Sequence, residues 1–488
     1  MIKSGKNIFI PCIYLSAMIH ALISPSIAQP SLEQRILELQ HQSDILRQQN
    51  EALQQKLLEL VTQLKHNREG NSNPAKIITP EAKREPVEQT SSSLVDKIGL
   101  GGQYRINSYY ARNDIGKRHP VASRVRIRQN FDVNFSNRFQ THLQLELNHT
   151  SDNITTTSKS SRATNIDIRH AVLAYNFTNN IQAKVGIVPL SDQFDDILFS
   201  SDWDYNPVAL TVSAPLGSGH LRAFAANLNE GMETVSDDFV HYQLDFEFPI
   251  TNKANINLSS SLIKTVDFTG NSQNHINVGA AGSFNLGHEL TVRGFIVGSF
   301  TDKELLGAGT NGKGFAAKIE VKSEKGFSLM ATHASGSPDR RGFLPVMALA
   351  RTNGYWGYTG ILTIQGPTDT GIDGDAVNIS NNGYGLTTFQ LRYFHSVTEK
   401  FNLTLAAGWF GNSKTPMNRG SFVGTDFLAM GTYRLDEVLA LDFGGAYAHL
   451  GDAVSGYWQG ITMGTNFNGP AGETRNKITF FTRLQAEF

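Results

Sequence analysis

The stretch Phe139-Gln140-Thr141-His142-Leu143-Gln144-Leu145-Glu146-Leu147-Asn148 decides the fold class. Side chains of a β-strand alternate between its two faces. Phe139, Leu143, Leu145 and Leu147 therefore share one face, and Gln140, His142, Gln144, Glu146 and Asn148 share the other. The first face suits hydrocarbon and the second suits water.

The same rhythm extends in both directions. Val125, Ile127, Phe131 and Val133 alternate with Arg124, Arg126, Arg128, Asn130 and Asp132. Tyr242, Leu244, Phe246 and Phe248 alternate with His241, Gln243, Asp245 and Glu247, and Phe315, Ala317, Ile319 and Val321 oppose Lys318, Glu320 and Lys322. From residue 94 to 488 the chain is a run of segments of roughly ten residues, separated by Gly, Asn, Asp, Ser and Pro clusters. Polar faces this charged are not a protein core. The pattern predicts an all-β chain, a transmembrane antiparallel β-barrel of about 16 to 18 strands enclosing water. A secreted β-sandwich would also alternate, but it would not need aromatic strand ends such as Tyr109, Tyr110, Tyr175, Phe177, Trp409, Phe410, Tyr433, Tyr457 and Trp458, which suit interfacial girdles.

Composition agrees with that class. The 488 residues are 40% hydrophobic and carry 43 Lys+Arg against 44 Asp+Glu, too polar on average for a helical membrane protein and too evenly charged for a nucleic-acid partner. No window approaches the 18 or more consecutive apolar residues of a spanning helix, so a membrane crossing falls to strands. The one cysteine, Cys12, lies in the leader described next, which removes disulfide, zinc-thiolate and cysteine-nucleophile chemistry from the mature chain.

Residues 1–28 have the layout of a secretory signal peptide: Lys3 and Lys6, an apolar stretch from Ile8 to Ile23, and Ser26-Ile27-Ala28 as a small-x-small cleavage site. Residues 29–64 form the next region. There Leu32, Leu39, Leu46, Leu53 and Leu60 recur every seven residues, and Ile36, Ser43, Asn50, Leu57 and Leu64 follow each by four, the d and a positions of an α-helical coiled coil. Such a helix would run roughly 50 Å at 1.5 Å per residue. An a/d stripe has no core of its own, so partner copies are expected, with Ser43 and Asn50 fixing register inside the seam. Residues 65–93, rich in charge, Asn and Ser with Pro74, Pro80 and Pro86, read as a flexible linker to the barrel at 94–488.

The chain ends Lys477-Ile478-Thr479-Phe480-Phe481-Thr482-Arg483-Leu484-Gln485-Ala486-Glu487-Phe488. A terminal aromatic preceded by alternating apolar residues resembles the C-terminal signal of bacterial outer-membrane barrels. That resemblance makes Phe480, Leu484 and Phe488 the residues read by the barrel-assembly machinery. The row Arg124-Val125-Arg126-Ile127-Arg128, the stretch from Asp195 to Pro207 and the coiled-coil prefix together resemble a family of proteobacterial porins. The resemblance spans about residues 100–488; the loops 302–310 and 355–382 match nothing in it. It implies an outer-membrane chain among lipids, with its coiled coil in the periplasm, a homo-oligomer that porin analogy makes a trimer, and passive passage of small polar or anionic solutes without enzyme activity or cofactor. The second reading is the barrel of an export or secretion system that docks a periplasmic partner through its coiled coil.

Two groups of residues are candidates for the pore. Arg124, Arg126 and Arg128 alternate with apolar residues, so they should form a vertical row on the lumen wall, where fixed positive charge favours anions. Carboxylates on adjacent segments offer the other role, a structural ladder, with Asp132, Glu146 and Arg169 in the same set; the sequence leaves both roles open. Asp192, Asp195, Asp196, Asp202 and Asp204 crowd a stretch too irregular for a long strand, and in porins such a segment folds inward as a constriction loop. Asp369, Asp373 and Asp375 lack the full pattern of a calcium loop, so no metal is expected. His149, His170, His333 and His395 lie near many serines without any motif that would make them catalytic.

Overall fold

The computed structural model describes residues 98–113, 118–150, 164–177, 180–229, 239–266, 272–287, 289–301, 312–339, 341–346, 357–363, 377, 379–415, 420–451, 453 and 475–488. The signal peptide, coiled coil, linker and acidic group at 369–375 lie outside them.

Among the described residues the chain forms eighteen strands, the upper end of the expected range: β1 Ile98–Asn113, β2 Arg118–Asn134, β3 Phe139–Thr150, β4 Thr164–Asn176, β5 Gln182–Ile187, β6 Val208–Leu216, β7 Gly219–Asn229, β8 Phe239–Thr251 and β9 Ala254–Val266, then β10 Ser272–Leu286, β11 Leu290–Thr301, β12 Lys313–Ser323, β13 Phe327–Ala334, β14 Leu386–Ser396, β15 Phe401–Asn412, β16 Phe422–Arg434, β17 Leu439–Leu450 and β18 Arg475–Glu487. Each pairs antiparallel with the next, and β18 returns to pair with β1 in register Tyr104 to Ala486, so the sheet is a closed barrel with no free edge. Closure is completed at the last residue, where Gly102 and Phe488 exchange both backbone hydrogen bonds, at 2.8 and 3.2 Å. The Phe488 ring meets Tyr104 edge to face at 5.3 Å.

Turns alternate in length around the ring. Those after β2, β6, β8, β12, β14 and β16 are short, and the connections after β3, β5, β7, β11, β13 and β17 are longer. In the turn after β12, Gly326 has φ +92°, and a Cβ there would run into the Phe394 carbonyl. The start of β1 and the end of β18 lie at the short-turn end, the periplasmic end in barrels of this kind.

Outward residues are apolar and left uncovered by protein: Ile166 is 69% exposed and Val208 61%. Many aromatic rings gather near the strand ends, including Phe135 on Phe139 at 5.2 Å, Tyr175 on Phe177 at 4.8 Å and Phe327 on Tyr393 at 4.5 Å. Two expected girdle residues turn the other way. Phe410 is fully buried and Tyr109 packs against the buried interior, because each stands next to an outward residue, Trp409 or Tyr110, and neighbours in a strand face opposite sides. Inward positions carry the polar set expected of a wet lumen, including Arg126, Glu146, Gln243, Asp245, Glu320 and Asp442.

Candidate functional site

The lumen wall from β18 through β4 carries a ladder of cations. Arg128 Nε donates to Glu146 Oε2 at 2.5 Å, Arg124 donates through Nη2 to Asn148 Oδ1 at 2.9 Å, and Arg126 donates to Gln103 at 2.7 Å. Arg105 donates to Gln485 at 2.8 Å, and Arg483 closes the row on Asp442 at 2.7 Å. The three arginines of β2 thus share one face, as their spacing requires, opposite Thr150, Asn148 and Glu146 of β3 in the strand register. Asp132 accepts from His142 Nδ1 at 2.7 Å.

A bulge shapes the next strand. Gln144 pairs with His170 and Leu145 with Ile168, so Arg169 is the extra residue and both Arg169 and His170 are buried toward the lumen. Arg169 reaches Glu146 at 3.7 Å and Asp204 at 3.2 Å, and its guanidinium donates to the Ser201 carbonyl.

That last contact belongs to the loop after β5, residues 188–207, which folds inward. Val188, Leu190, Phe194, Ile197, Leu198 and Phe199 are all 3% exposed or less, which an outer loop in water would not be. Phe194 meets Phe295 of β11 edge to face at 5.8 Å, Phe199 packs against Phe224 and His241, and the Tyr205 hydroxyl bonds His241 Nδ1 at 2.6 Å.

The aspartates of this loop divide into distinct roles. Asp192 does not line the lumen: it is buried and accepts backbone N–H groups from Phe194, Asp196, Leu198 and Phe199 at 2.5 to 3.0 Å, holding the loop's turn together. Burial, with the nearby Asp196, pushes its carboxyl up to about 7 despite those bonds. Asp195 and Asp196 both adopt left-handed backbone, φ 58° and 62°, a conformation aspartate tolerates better than most residues. Burial also raises Asp196, to about 6. Asp195 reaches the far wall, 2.8 Å from Lys318 of β12 and 3.1 Å from Arg293 of β11. Burial acts to raise its carboxyl, but Lys318 and Arg293 outweigh that and hold it below the usual range. Asp204 bonds Arg169, and Asp202 is exposed. The acidic stretch is therefore not a block facing the arginine row; its charges are shared between two walls.

A second inward loop connects β13 to β14. Tyr358, Thr359, Ile361, Leu362 and Thr363 are buried, and the Tyr358 hydroxyl bonds Glu320 of β12. Tyr358 N donates to Gln390 at 2.6 Å, and Arg392 lies 4.7 Å over its ring. Asp426 of β16 receives the backbone N–H groups of Ile361 and Leu362 at 2.8 and 2.6 Å. Glu320 is the hub between the two loops, paired with Arg293 and lying 3.7 Å from Lys318 and 3.4 Å from Lys322. Sequence reasoning placed Lys318, Glu320 and Lys322 on a polar face without assigning them a role, and it missed Arg293, Asp426 and the second loop.

Among the described residues no group of three or more His, Cys, Asp or Glu is arranged to hold a metal ion.

A closed barrel of eighteen strands, apolar outside and charged inside, with loops folded inward from one end, has the architecture of a transmembrane β-barrel with a polar lumen. Comparison with solved structures gives the same fold. The chain is similar to OccK5 (OpdH) of Pseudomonas aeruginosa, at TM-score 0.50 and 11% identity over 80% of this chain and 98% of that one. It is similar to OccK3 (OpdO) of the same organism at TM-score 0.50 and 10% identity, over 80% of this chain and 95% of that one, and to its OpdL at 0.50 and 10%, over 80% and 99%. No family model and no curated protein matches the sequence.

Proposed function

We propose that the chain is an outer-membrane porin giving passive diffusion of small polar or anionic solutes. One observation carries the reading: a closed barrel whose polar lumen is narrowed by two loops hooked to its inner wall through Asp195 and Asp426. Such a constriction passes small hydrated solutes and opposes a folded or extended export substrate, so diffusion is preferred over the secretion reading. The cation ladder from Arg483 to Arg169 supports a preference for anions, since fixed charge in a narrow lumen acts at close range.

The finer parts of the reading rest on the sequence and on barrel polarity. The coiled coil at 29–64 joins subunits in the periplasm, consistent with β1 starting at the short-turn end, and the oligomer is a trimer by porin analogy. Phe480, Leu484 and Phe488 serve the barrel-assembly machinery; outward, lipid-side positions for them support that role. Liposome swelling with purified, folded protein tests the function. Small uncharged sugars and amino acids should enter at rates that fall steeply with size, and liposomes that stay tight to all of them would overturn it.

A further inference from the structure

His142 of β3 and His170 of β4 present ring nitrogens to each other inside the lumen, with Nε2 of the first 3.4 Å from Nδ1 of the second. The outer nitrogen of each ring is already engaged. His142 Nδ1 lies 2.7 Å from Asp132 Oδ1, and a carboxylate only accepts, so Nδ1 carries the hydrogen and Nε2 is left with a lone pair. His170 Nε2 lies 3.2 Å from Asn206 Oδ1, an acceptor, so it carries the hydrogen of that ring and Nδ1 is left with a lone pair as well. In neutral rings of these tautomers two lone pairs face each other, and they repel unless a proton or a metal cation sits between them.

The separation fits a metal. Zinc binds imidazole nitrogen at about 2.0 to 2.1 Å in tetrahedral geometry, which sets two ligand nitrogens about 3.3 to 3.4 Å apart. The partners of the outer nitrogens are those that histidine ligands need, a carboxylate on one ring and an amide oxygen on the other, fixing tautomer and orientation. The ring centroids are 5.5 Å apart, so the rings meet through their nitrogen edges and are not stacked.

We propose that His142 and His170 form a two-histidine site for a late first-row divalent cation such as Zn²⁺, with water or a passing anion completing the coordination. Two protein ligands make the site open and exchangeable, unlike the closed sets of structural zinc. A cavity of about 210 Å³ beside His142, also lined by Asp132, Gln182 and Lys184, gives a hydrated ion room to approach. The positive charge closest in sequence, Arg169, is directed to Glu146 and Asp204, and Asp132 adds negative charge behind His142. The bulge makes the pair possible: without it, His170 would face lipid.

Zn²⁺ titration by calorimetry on the folded full-length protein in detergent, near neutral pH, tests the site. Wild type should bind one more Zn²⁺ per chain than the His142→Gln/His170→Gln double variant, and each single variant should lose that equivalent. Asp132→Asn, which removes the carboxylate behind the ring and leaves both ligands, should weaken it roughly 10-fold or more. Folding of every variant is read from heat-modifiable gel mobility. Should His170→Gln fail to fold, the half-exposed His142→Gln decides alone. Equal Zn²⁺ stoichiometry and affinity in wild type and folded His142→Gln would overturn the proposal and leave the pair as two hydrogen-bonded histidines. The measurement does not depend on what the barrel conducts.

Discussion

Asp195 and Lys318 lie 123 positions apart in the chain and 2.8 Å apart in space, one on a loop that leaves β5, the other on β12. The pair fastens the loop's tip to the wall at β12, six strands round the ring from β6. Asp195→Asn keeps the size and removes the charge, at a cost to loop docking of about 1 to 3 kcal/mol. Single-channel conductance should rise and fluctuate more, while heat-modifiable mobility stays that of a closed barrel. Conductance equal to the parent's would mean that the apolar packing of Phe194 and Phe199 holds the loop without the ion pair.

The same loop should respond to pH in two opposite ways. Asp192 and Asp196, raised to about 7 and about 6 in the fold, contribute stability that is complete below the ordinary aspartate range and is lost as pH rises through those values. Asp195, lowered by Lys318 and Arg293, contributes stability present above the ordinary range and lost as pH falls through its depressed value. Seating of the loop should therefore be firmest in mildly acid solution. Hydrogen exchange over residues 191–206, corrected for intrinsic rates, should show greatest protection near pH 5 and less at pH 8 and below pH 3; protection that climbs steadily to pH 8 would contradict the raised carboxyls.

Asp426 fastens the other loop. Asp426→Ala strands the N–H groups of Ile361 and Leu362, each buried, and should loosen residues 357–363 by about 1 to 3 kcal/mol without opening the strand ladder. Faster exchange confined to that segment, together with larger conductance, is the expected result. Exchange that spreads into β15 and β16 would show that Asp426 supports the wall itself.

The charge of the β2 row is separable from its bulk. Replacing Arg124, Arg126 and Arg128 together by glutamine keeps polar side chains on the ladder and removes a field screened only over about 8 to 10 Å at moderate salt. The reversal potential under a KCl gradient should move toward cations. If the folded triple variant keeps the parent's ion preference, the row is a structural ladder, and Arg128 with Glu146 is its central rung.

Deleting residues 31–64 should weaken oligomers in detergent and leave the barrel folded. Oligomers of unchanged stability would remove the coiled coil from the assembly.

Much of the wall was legible because period two survives in it. Phe139 to Asn148 alternates with Thr141 as its one exception, and it lies in β3 with Glu146 and Gln144 inward. Phase slips are what the sequence hides. Ile166 and Ile168 face lipid, so alternation sends His170 there too; one extra residue in the ladder reverses the phase and brings Arg169 and His170 inward together. An inward fold of the stretch 192–204 was expected, but alternation says nothing about which aspartate meets water, and Asp192 is used up by backbone two to seven residues away. The loop at 357–363 left no periodic trace, because its anchors, Glu320, Gln390 and Asp426, come from strands spread over a hundred residues.

The ring is closed by its own backbone, with Gly102 and Phe488 exchanging hydrogen bonds, whereas each inward loop is fastened by a few side chains. Mutation can therefore act on the two parts at different rates. A substitution at Asp195, Lys318 or Asp426 is expected to reshape the aperture and leave the hoop intact, so the aperture can vary without cost to closure of the barrel. The hoop and the aperture are thus two separately variable parts of one chain.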